Sequence, residues 1–311
     1  MKEETKVILD VDPGHDDAVA ILLAAASESL DLRGITVVAG NQTLPKTTLN
    51  ARRICTAAGI TDVGIYEGTG SPLVRDQVTG EFIHGGSGLD GPEFSPAYVE
   101  VRDKGAVDFM LDELMEADDG ITIAAVGPLT NVALALIREP QVKANVEEIV
   151  VMGGSMGIGN YTAAAEFNIF ADPEAAHLVF ETGVPVTMVG LDVTRQAEIT
   201  PAIMKRLREI GNRVTDLTLE MLDYYRSTYK RAFDLDNPPL HDPCVVAYLI
   251  DREVITTKAM RVDVDLNSGI DYGRTVCDYY GRSGREVNAK VGIELSSELF
   301  WEILLSNLEK Y

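Results

Sequence analysis

Short runs of apolar residues alternate with amphipathic segments along the first two thirds of the chain. The runs are rich in Val and Ile, as in strands buried on both faces, and the segments between them repeat their apolar residues at helical spacing. The predicted strands span residues 7–11, 35–39, 63–66, 121–126, 148–152 and 184–189. The predicted helices span residues 16–29, 44–58, 105–117, 130–138 and 173–182. The alternation predicts a Rossmann-like α/β fold with a mostly parallel central sheet and helices on both faces.

The pattern changes after about residue 200. We predict one long helix over residues 201–229, then a loop rich in Asp and Pro over residues 233–239. The remaining elements are predicted as helices over residues 242–250 and 297–309 and strands over residues 259–264 and 290–295. Because no linker or internal repeat separates this part, we expect a single domain over residues 1–311 with a C-terminal elaboration.

The connections between the predicted elements differ greatly in length. Residues 69–99 form a connection of about thirty residues that contains five glycines. Long connections in compact domains are often functional, and ligands of open parallel sheets bind at the carboxyl ends of the strands. We therefore expect the functional site at that edge of the sheet.

Composition and net charge exclude several classes of protein and of binding partner. The 311 residues carry a formal net charge of −22, which argues against binding nucleic acid or an anionic membrane surface. Residues 1–7 lead directly into the first strand without a signal-peptide pattern, and no apolar run approaches 18 residues, so we expect a cytoplasmic protein. Three cysteines, Cys55, Cys244 and Cys277, do not form a disulfide framework.

Four carboxylates follow the first strand within eight residues. Asp10, Asp12, Asp16 and Asp17 repel one another unless something compensates for their charge. The N-terminus of the next helix offers partial compensation through capping. A hard cation is the stronger explanation, because oxygen ligands alone suit Ca²⁺ or Mg²⁺ and do not suit zinc. The spacing does not match an EF-hand loop.

Small, polar and acidic residues also follow the other strands. Each could be a structural hydrogen-bonding residue, but the topology brings them to one edge of the sheet. Those residues are Asn41, Asn131, Asn160, Glu166, Asn168, His241 and Asp242.

The motifs, taken in order, resemble the nucleoside hydrolases, also called inosine-uridine preferring nucleoside hydrolases. The subgroup they resemble most is the pyrimidine-preferring or broad-specificity ribonucleoside hydrolases. The first motif is Asp-Val-Asp-Pro-Gly-His-Asp-Asp at residues 10–17. The others stand at residues 38–41, 126–131, 152–154, 159–161, 165–174, 241–242 and 274–278.

The resemblance implies Ca²⁺-dependent hydrolysis of the N-glycosidic bond of ribonucleosides, namely uridine, cytidine, inosine or several of these. The products are ribose and the free base, and the reaction serves nucleoside catabolism or salvage. A base activates the attacking water, and the transition state resembles an oxocarbenium ion. A homotetramer or homodimer is also implied, with a small-molecule substrate and neither nucleic acid nor membrane as partner.

The same resemblance assigns one Ca²⁺ per chain. Its ligands are Asp12, Asp17 (bidentate), Asp242 and the main-chain carbonyl of Val126, with water and the 2′- and 3′-hydroxyls of ribose completing the shell. Ca²⁺ accepts such seven- or eight-fold coordination, which Mg²⁺ resists. Asp10 is expected to be structural.

Ribose contacts are implied for Asp16, Asn160, Glu166 and Asn168, with Asn41 orienting the water. Carboxylates accept hydrogen bonds from hydroxyls strongly and stabilise the positive charge that develops on the sugar ring. Met152 either lies under the ribose or belongs to the core.

Proton transfer requires a base and an acid. Asp12 is the candidate general base, and His241, next to a metal ligand, is the candidate acid, acting directly or through a relay. His84, in the glycine-rich connection, either contacts the base or is an exposed loop residue. His15 is expected to pack, and His177 to be structural.

Aromatic residues could enclose the nucleobase. Tyr225 and Tyr229 lie four residues apart on one helix face and, with Phe233, could stack on the base, although a core stripe has the same spacing. Phe167 could pack on the ribose edge. Trp301 is expected in the core.

Two other functions are compatible with part of the sequence. An Asp-x-Asp strand end is also found in haloacid-dehalogenase-type phosphatases, but this chain has Gly14 where those have Thr or Val, and no basic residue stands nearby. A non-catalytic nucleoside-binding protein would keep the ribose carboxylates without needing His241.

Overall fold

The strand that leads into the carboxylate cluster lies inside an eight-stranded sheet. The structure is a computed structural model that describes residues 4–311, so the expectation for residues 1–3 lies outside it. The strands are β1 (Thr5–Val11), β2 (Leu30–Val37), β3 (Ile65–Glu67), β4 (Ile121–Ala125), β5 (Val146–Met152), β6 (Val186–Val189), β7 (Ile255–Met260), β8 (Val262–Val264), β9 (Thr275–Cys277) and β10 (Ala289–Leu295). The sheet order is β3-β2-β1-β4-β5-β6-β10-β7, and every neighbouring pair is parallel except β10 with β7.

Helices cover both faces of this sheet. They are α1 (His15–Ala26), α2 (Leu44–Ala58), α3 (Glu81–His84), α4 (Ala106–Glu116), α5 (Thr130–Arg138), α6 (Phe167–Ala171), α7 (Pro173–Phe180), α8 (Leu191–Thr194), α9 (Pro201–Ile210), α10 (Arg213–Phe233), α11 (Pro243–Ile250) and α12 (Ser297–Leu308). Single 3₁₀ segments span Pro140–Asn145 and Arg252–Val254.

Alternating side chains of the strands feed two cores. In β1, Leu9 and Val11 pack with α1, α2, α10, α11 and α12, whereas Ile8 packs with α4, α5 and α7. All three are fully buried, as expected of a parallel strand covered on both faces. The predicted fold class, a mostly parallel α/β sheet with helices on both faces, is therefore confirmed.

The prediction of one helix over residues 201–229 is wrong. The chain forms α9 and α10, separated at Gly211, whose φ of +67° is left-handed and ends α9. Asn212 then caps α10, because its side chain accepts hydrogen bonds from the main-chain N–H groups of Val214 and Thr215. A Gly-Asn pair supplies a C-terminal stop followed by an N-terminal cap. The continuous apolar periodicity across the pair concealed this break.

The prediction of one strand over residues 259–264 is also wrong. β7 ends at Met260 and runs antiparallel to β10 at the edge of the main sheet, whereas β8 begins at Val262. β8 pairs instead with β9, which we did not predict, in a separate antiparallel sheet. Apolar alternation cannot distinguish one strand from two successive strands that belong to different sheets.

The C-terminal part completes the same sheet that the N-terminal part begins. β10 lies between β6 and β7, and α11 and α12 contribute to the core that covers β1. The single domain over residues 1–311 stays a prediction, and this shared sheet supports it. Within residues 4–311, no helix combines the length and apolar character needed to cross a membrane.

We predict that Gly211→Ala lowers the free energy of unfolding by about 1–2 kcal/mol, because a side chain disfavours the left-handed backbone. Gly70→Ala is the matched control, since Gly70 has no left-handed φ and an added Cβ would meet its nearest neighbour, Leu44, at 3.6 Å. The control should change stability by less than about 0.5 kcal/mol. Urea unfolding measures both, and equal stability of the two variants would contradict the prediction.

Candidate active site

A cavity opens at the carboxyl ends of β1, β4 and β5. It lies at the edge of the sheet where the sequence predicted a site, and twelve of the predicted site residues line it. These residues are Asp16, Asn41, His84, Val126, Met152, Asn160, Glu166, Phe167, Asn168, Tyr229, His241 and Asp242. Asp12 and Asp17, also predicted, are fully buried next to the cavity floor.

The loop between β1 and α1 holds the carboxylate of Asp17 in place. Its Oδ1 accepts a hydrogen bond from the main-chain N–H of Asp12 at 2.9 Å, and its Oδ2 accepts one from that of Gly14 at 2.9 Å. The side-chain amide of Asn41 also donates to Oδ2, at 3.0 Å. The start of α1 and the end of β2 thus orient Asp17 together.

Asp12 has one partnered and one unpartnered carboxylate oxygen. Its Oδ2 accepts a hydrogen bond from the main-chain N–H of Asn41 at 2.7 Å. Its Oδ1 is buried and has no hydrogen-bond partner. A buried carboxylate oxygen without a partner is costly, and a bound cation would remove that cost.

Three more carboxylates converge beside it. Oxygens of Asp16, Asp17 and Asp242 lie within 4.8 Å of one another, and all three residues are buried. Burial raises the pKa of Asp16 to about 8, with a further contribution from the charge of Asp17. Burial and neighbouring carboxylates likewise raise the pKa values of Asp12 and Asp242 well above their ordinary range. A cluster of oxygen donors this crowded fits a hard divalent cation such as Ca²⁺.

Two glycines at strand ends allow the backbone to approach Asp12. A Cβ on Gly127 would lie 2.6 Å from Oδ1 of Asp12, and one on Gly40 would collide with Oδ2. Our sequence reasoning did not assign these glycines to the site. The sequence did contain a pattern that could have identified them, because each glycine follows an apolar strand and precedes a polar segment.

Asp10 lies one step further down β1 and serves the fold. Its Oδ1 accepts hydrogen bonds from the Thr36 hydroxyl at 2.6 Å and from the Asn131 amide at 2.9 Å. Burial raises its pKa to about 7. These contacts tie β1 to β2 and to the start of α5, in agreement with the expected structural role.

The opposite wall of the cavity is organised by Glu166, which caps α6. Its Oε1 accepts from the main-chain N–H of Asn168 at 2.9 Å, and its Oε2 accepts from those of Gly154 and Ile169 at 3.0 and 3.1 Å. Burial raises the pKa of Glu166 to about 7, although these hydrogen bonds act in the opposite direction. Three main-chain N–H groups therefore fix the carboxylate at the cavity wall.

Asn168 connects this wall to the floor. Its side-chain amide donates to the main-chain carbonyls of Val126 at 2.6 Å and Met152 at 3.0 Å. The Val126 carbonyl, a predicted metal ligand, thus already accepts one hydrogen bond and retains a second lone pair. Asn160 uses its Oδ1 to accept from the main-chain N–H of Phe167 at 2.9 Å.

His241 has a protein partner at each ring nitrogen. Its Nδ1 lies 2.6 Å from the hydroxyl of Thr194, and its Nε2 lies 3.0 Å from that of Tyr229. Burial lowers the pKa of His241 to about 3, and the positive charge of Arg195 contributes. The ring is therefore neutral near pH 7. Thr194 is a site contact that the sequence analysis missed, because the four-residue helix α8 was not predicted.

The other histidines differ in their surroundings. His84 ends α3 and is buried in the cavity wall, so its alternative as an exposed loop residue is wrong. Burial lowers its pKa well below the ordinary value. His15 is fully buried behind it, and burial lowers its pKa to about 4. His177 is half-buried on α7, away from the cavity.

Aromatic rings form the cavity rim. Tyr225, Tyr229 and Phe233 succeed one another along α10 with centroid separations of 4.6 and 5.2 Å. Tyr229 and Phe233 line the cavity, whereas Tyr225 is buried in the core. The core alternative holds for Tyr225, and stacking of Tyr229 and Phe233 on the base stays a prediction. Trp301 lies in the core, as expected.

Two rim residues escaped our sequence reasoning. Phe82 of α3 is 47% exposed and lies 6.1 Å from Tyr161 and 6.3 Å from Phe233, centroid to centroid. Phe82 stands two residues before His84, and Tyr161 follows Asn160, so proximity in sequence to predicted site residues was the available signal.

Comparison with known proteins agrees with this geometry. The profile of the family described as inosine-uridine preferring nucleoside hydrolase matches residues 7–302. The pyrimidine-specific ribonucleoside hydrolase RihB of Escherichia coli O157:H7 is 45% identical over 302 residues, which cover 97% of this chain and 96% of that protein.

Solved structures give the same result. A purine-preferring ribonucleoside hydrolase from Gardnerella vaginalis has a TM-score of 0.91 and 32% identity over 98% of both chains. A plant nucleoside hydrolase has a TM-score of 0.90 and 30% identity over 98% of both chains. These similarities favour a hydrolase over the phosphatase and the non-catalytic binding protein. The chain belongs to the inosine-uridine preferring nucleoside hydrolase family and is a ribonucleoside hydrolase, as its motifs predicted.

Proposed function

We propose that the protein hydrolyses the N-glycosidic bond of ribonucleosides to ribose and free base in a Ca²⁺-dependent reaction. The observation that carries this proposal is the buried carboxylate floor, in which Oδ1 of Asp12 has no protein partner. Uridine and cytidine are the proposed substrates, with inosine as a further one, and the 45% identity to a pyrimidine-specific hydrolase supports this order. The assembly as a homotetramer or homodimer and the cytoplasmic location stay predictions.

The donor set on the floor is suited to one calcium ion. Asp12, Asp17, Asp242 and the carbonyl of Val126 would hold it, and all four contribute oxygen atoms from buried positions. When bound, the ion supplies positive charge that orients a water molecule and two ribose hydroxyls. Asp16 lies beside this set and lines the cavity, so it can accept a hydrogen bond from the ribose.

Asp12 is the proposed general base. The main-chain N–H of Asn41 occupies its Oδ2, whereas Oδ1 has two free lone pairs, so that one could face the ion and the other could take a proton from the attacking water. As the glycosidic bond lengthens, positive charge develops on the ribose ring. The fixed carboxylates of Asp16 and Glu166 stabilise that charge more than they stabilise neutral ribose. Asn160 and Asn168 are proposed to contact the ribose from the same wall, with Met152 beneath it.

The leaving base needs a proton, and the structure favours a relay for its delivery. Nε2 of His241 lies against the hydroxyl of Tyr229, which lines the cavity. In the proposed step the Tyr229 hydroxyl donates its proton to the departing base, Nε2–H of the neutral His241 ring stabilises the resulting tyrosinate by a hydrogen bond, and a proton from water restores the hydroxyl after the base has left. Phe167 and Phe233 provide apolar surface close to the same end of the cavity.

We predict that Ca²⁺ raises the thermal stability of chelator-treated protein. At a concentration 100-fold above its dissociation constant, a ligand adds about 2.7 kcal/mol to the free energy of unfolding. Differential scanning fluorimetry with Ca²⁺, Mg²⁺ and chelator measures the shift. A melting temperature indifferent to Ca²⁺, together with activity in strong chelator, would contradict the metal site.

The metal-free protein should also lose stability as pH rises from about 6.5 to 8. The folded protein holds protons on Asp10 and Asp16, with pKa values of about 7 and 8, whereas the unfolded chain has released them. Because the folded state then binds more protons, its stability falls with rising pH. The histidines with lowered pKa values act oppositely, but only below about pH 6.5. Saturating Ca²⁺ should flatten this slope, and a stability that rises with pH in this window would contradict the prediction.

We predict that Asp12→Asn lowers kcat by about 10²- to 10⁴-fold, the range of a general base. Asp10→Asn, two residues earlier on the same strand, is the matched control and should cost less than about tenfold. Calorimetric Ca²⁺ titration of both variants separates loss of the base from loss of the ion. If Asp12→Asn turns over normally, Asp12 is not the base.

We predict that His241→Ala and Tyr229→Phe share one substrate pattern. Each should lose about 10²- to 10⁴-fold in kcat on uridine and inosine, because the leaving base is no longer protonated. 4-Nitrophenyl riboside, whose leaving group departs without a proton, should be largely spared. Steady-state kinetics on the three substrates test this. Equal losses on all three would show that His241 maintains the site without acting in proton transfer.

A further inference from the structure

The proposed reaction gives no role to the motif at residues 274–278. These residues, all of which the structure describes, lie outside the cavity lining. They include β9, which pairs with β8 in the two-stranded sheet, here called the β8–β9 hairpin, outside the main sheet. One buried residue of this hairpin, Thr275, nevertheless reaches the end of β5, where its side chain lies against Gly154 and Ser155. The contacts of Thr275 therefore show what the hairpin contributes to the site.

The hydroxyl of Thr275 makes two hydrogen bonds to one residue. Its Oγ1 accepts from the main-chain N–H of Ser155 at 2.8 Å and donates to the main-chain carbonyl of Ser155 at 2.7 Å. Because an N–H group only donates and a carbonyl oxygen only accepts, both directions are fixed by the contacts themselves. Ser155 is buried, so removal of this hydroxyl would take the partner away from two buried main-chain groups at once.

The preceding residue, Gly154, is confined by its neighbours. Its φ of +74° is left-handed, and its main-chain carbonyl accepts a hydrogen bond from the main-chain N–H of Leu191 at 2.9 Å. A Cβ on Gly154 would lie 2.8 Å from Cγ2 of Thr275, so the threonine side chain packs directly on the glycine backbone. In this conformation the main-chain N–H of Gly154 donates to Oε2 of Glu166 at 3.0 Å.

This hydrogen bond orients Glu166 from outside its own helix. The other main-chain donors to the carboxylate, the N–H groups of Asn168 and Ile169, belong to α6 and move together with Glu166. Among residues 4–311, Gly154 is the one donor to this carboxylate that lies outside α6. The Gly154 N–H therefore sets the position of the carboxylate relative to the end of β5.

We propose that Thr275 is a positioning residue for the ribose site, because its hydroxyl fixes the Gly154–Ser155 turn and the Gly154 N–H in turn holds the Glu166 carboxylate at the cavity wall. The inference rests on the proposed function for the role of Glu166, which is to stabilise the positive charge that develops on the ribose. Such an interaction is sensitive to position, since a displacement of about 1 Å can reduce a rate by about 10²-fold. The β8–β9 hairpin thus supports catalysis without contacting the substrate.

Amide hydrogen exchange tests this arrangement without turnover. Thr275→Val removes the hydroxyl and keeps the branched shape, whereas Thr275→Ser keeps the hydroxyl. Exchange in a peptide over residues 153–158, measured by mass spectrometry, should be ~5- to 30-fold faster in Thr275→Val, the range of one to two net hydrogen bonds. It should be unchanged in Thr275→Ser. Exchange that is equally slow in Thr275→Val would overturn the proposal.

Two further variants complete the set. Thr187→Val is the matched control, because Thr187 is a fully buried strand residue whose hydroxyl donates to Glu148, away from the cavity lining. It should leave exchange over residues 153–158 unchanged. If Thr275→Val does not fold, Thr275→Ala removes the same hydroxyl without adding a methyl group and serves the same comparison.

A double-mutant cycle tests whether Thr275 acts through Glu166. Thr275→Val should lower kcat on uridine by about 10- to 100-fold with little change in KM, because it weakens a contact that strengthens in the transition state. In the Glu166→Gln background, which lacks the carboxylate charge, the same substitution should lower kcat by less than about threefold. Thr275→Ser and Thr187→Val should keep kcat within about threefold of the wild type.

The outcomes separate positioning from a general effect on the fold. A loss of kcat by the same factor in both backgrounds would show that Thr275 acts independently of Glu166 and would overturn the proposal. Faster exchange with normal turnover in Thr275→Val would overturn it as well. If the wild type does not hydrolyse uridine or another ribonucleoside, the proposed function fails, whereas the exchange measurement still decides whether Thr275 holds the turn.

Discussion

The burial of several carboxylates at one end of β1 is the constraint on which the rest of the site depends. Removal from water disfavours the charged form of each carboxylate, and repulsion between charges of one sign adds to this, so the pKa values of Asp12, Asp16 and Asp242 are raised. The surrounding fold supplies partners for every oxygen of Asp17 and for one oxygen of Asp12. The donors that remain are therefore organised for a cation, which converts an unstable cluster into a stable one.

The sheet makes this concentration of charge possible. Parallel strands end at one edge, so β1, β2 and β4 bring the β1–α1 loop, Asn41 and the Val126 carbonyl together without long connections. Gly40 and Gly127 let the neighbouring backbone approach Asp12 more closely than a side chain would permit. Asp10, two residues before Asp12, ties β1 to β2 through Thr36 and to the start of α5 through Asn131.

The sequence predicted the sheet and most of the cavity residues because both follow from local rules. Buried strands are continuous apolar runs, and polar residues directly after them must lie at one edge. Two predictions failed. Between Met260 and Val262, one continuous apolar pattern covers two strands that belong to different sheets. In the other case, a Gly-Asn pair divides one continuous helical pattern into two helices. The contacts around His15 were equally inaccessible, because its Nε2 meets the main-chain carbonyl of Asp90, which is 75 residues away along the chain.

The floor and the rim of the cavity are suited to different parts of a nucleoside. Carboxylates and amides on the floor and lower wall suit ribose, whose hydroxyls are the same in every ribonucleoside. Rings from three separate segments, Phe82, Tyr161 and Phe233, form the rim, where we propose that the base lies. Aromatic faces stack on any base with little discrimination, so selectivity has to come from the few polar atoms among them. A relative named for purines has the same fold as this chain, which is 45% identical to a relative named for pyrimidines, so we expect base preference to depend on the polar groups and rings of the upper cavity.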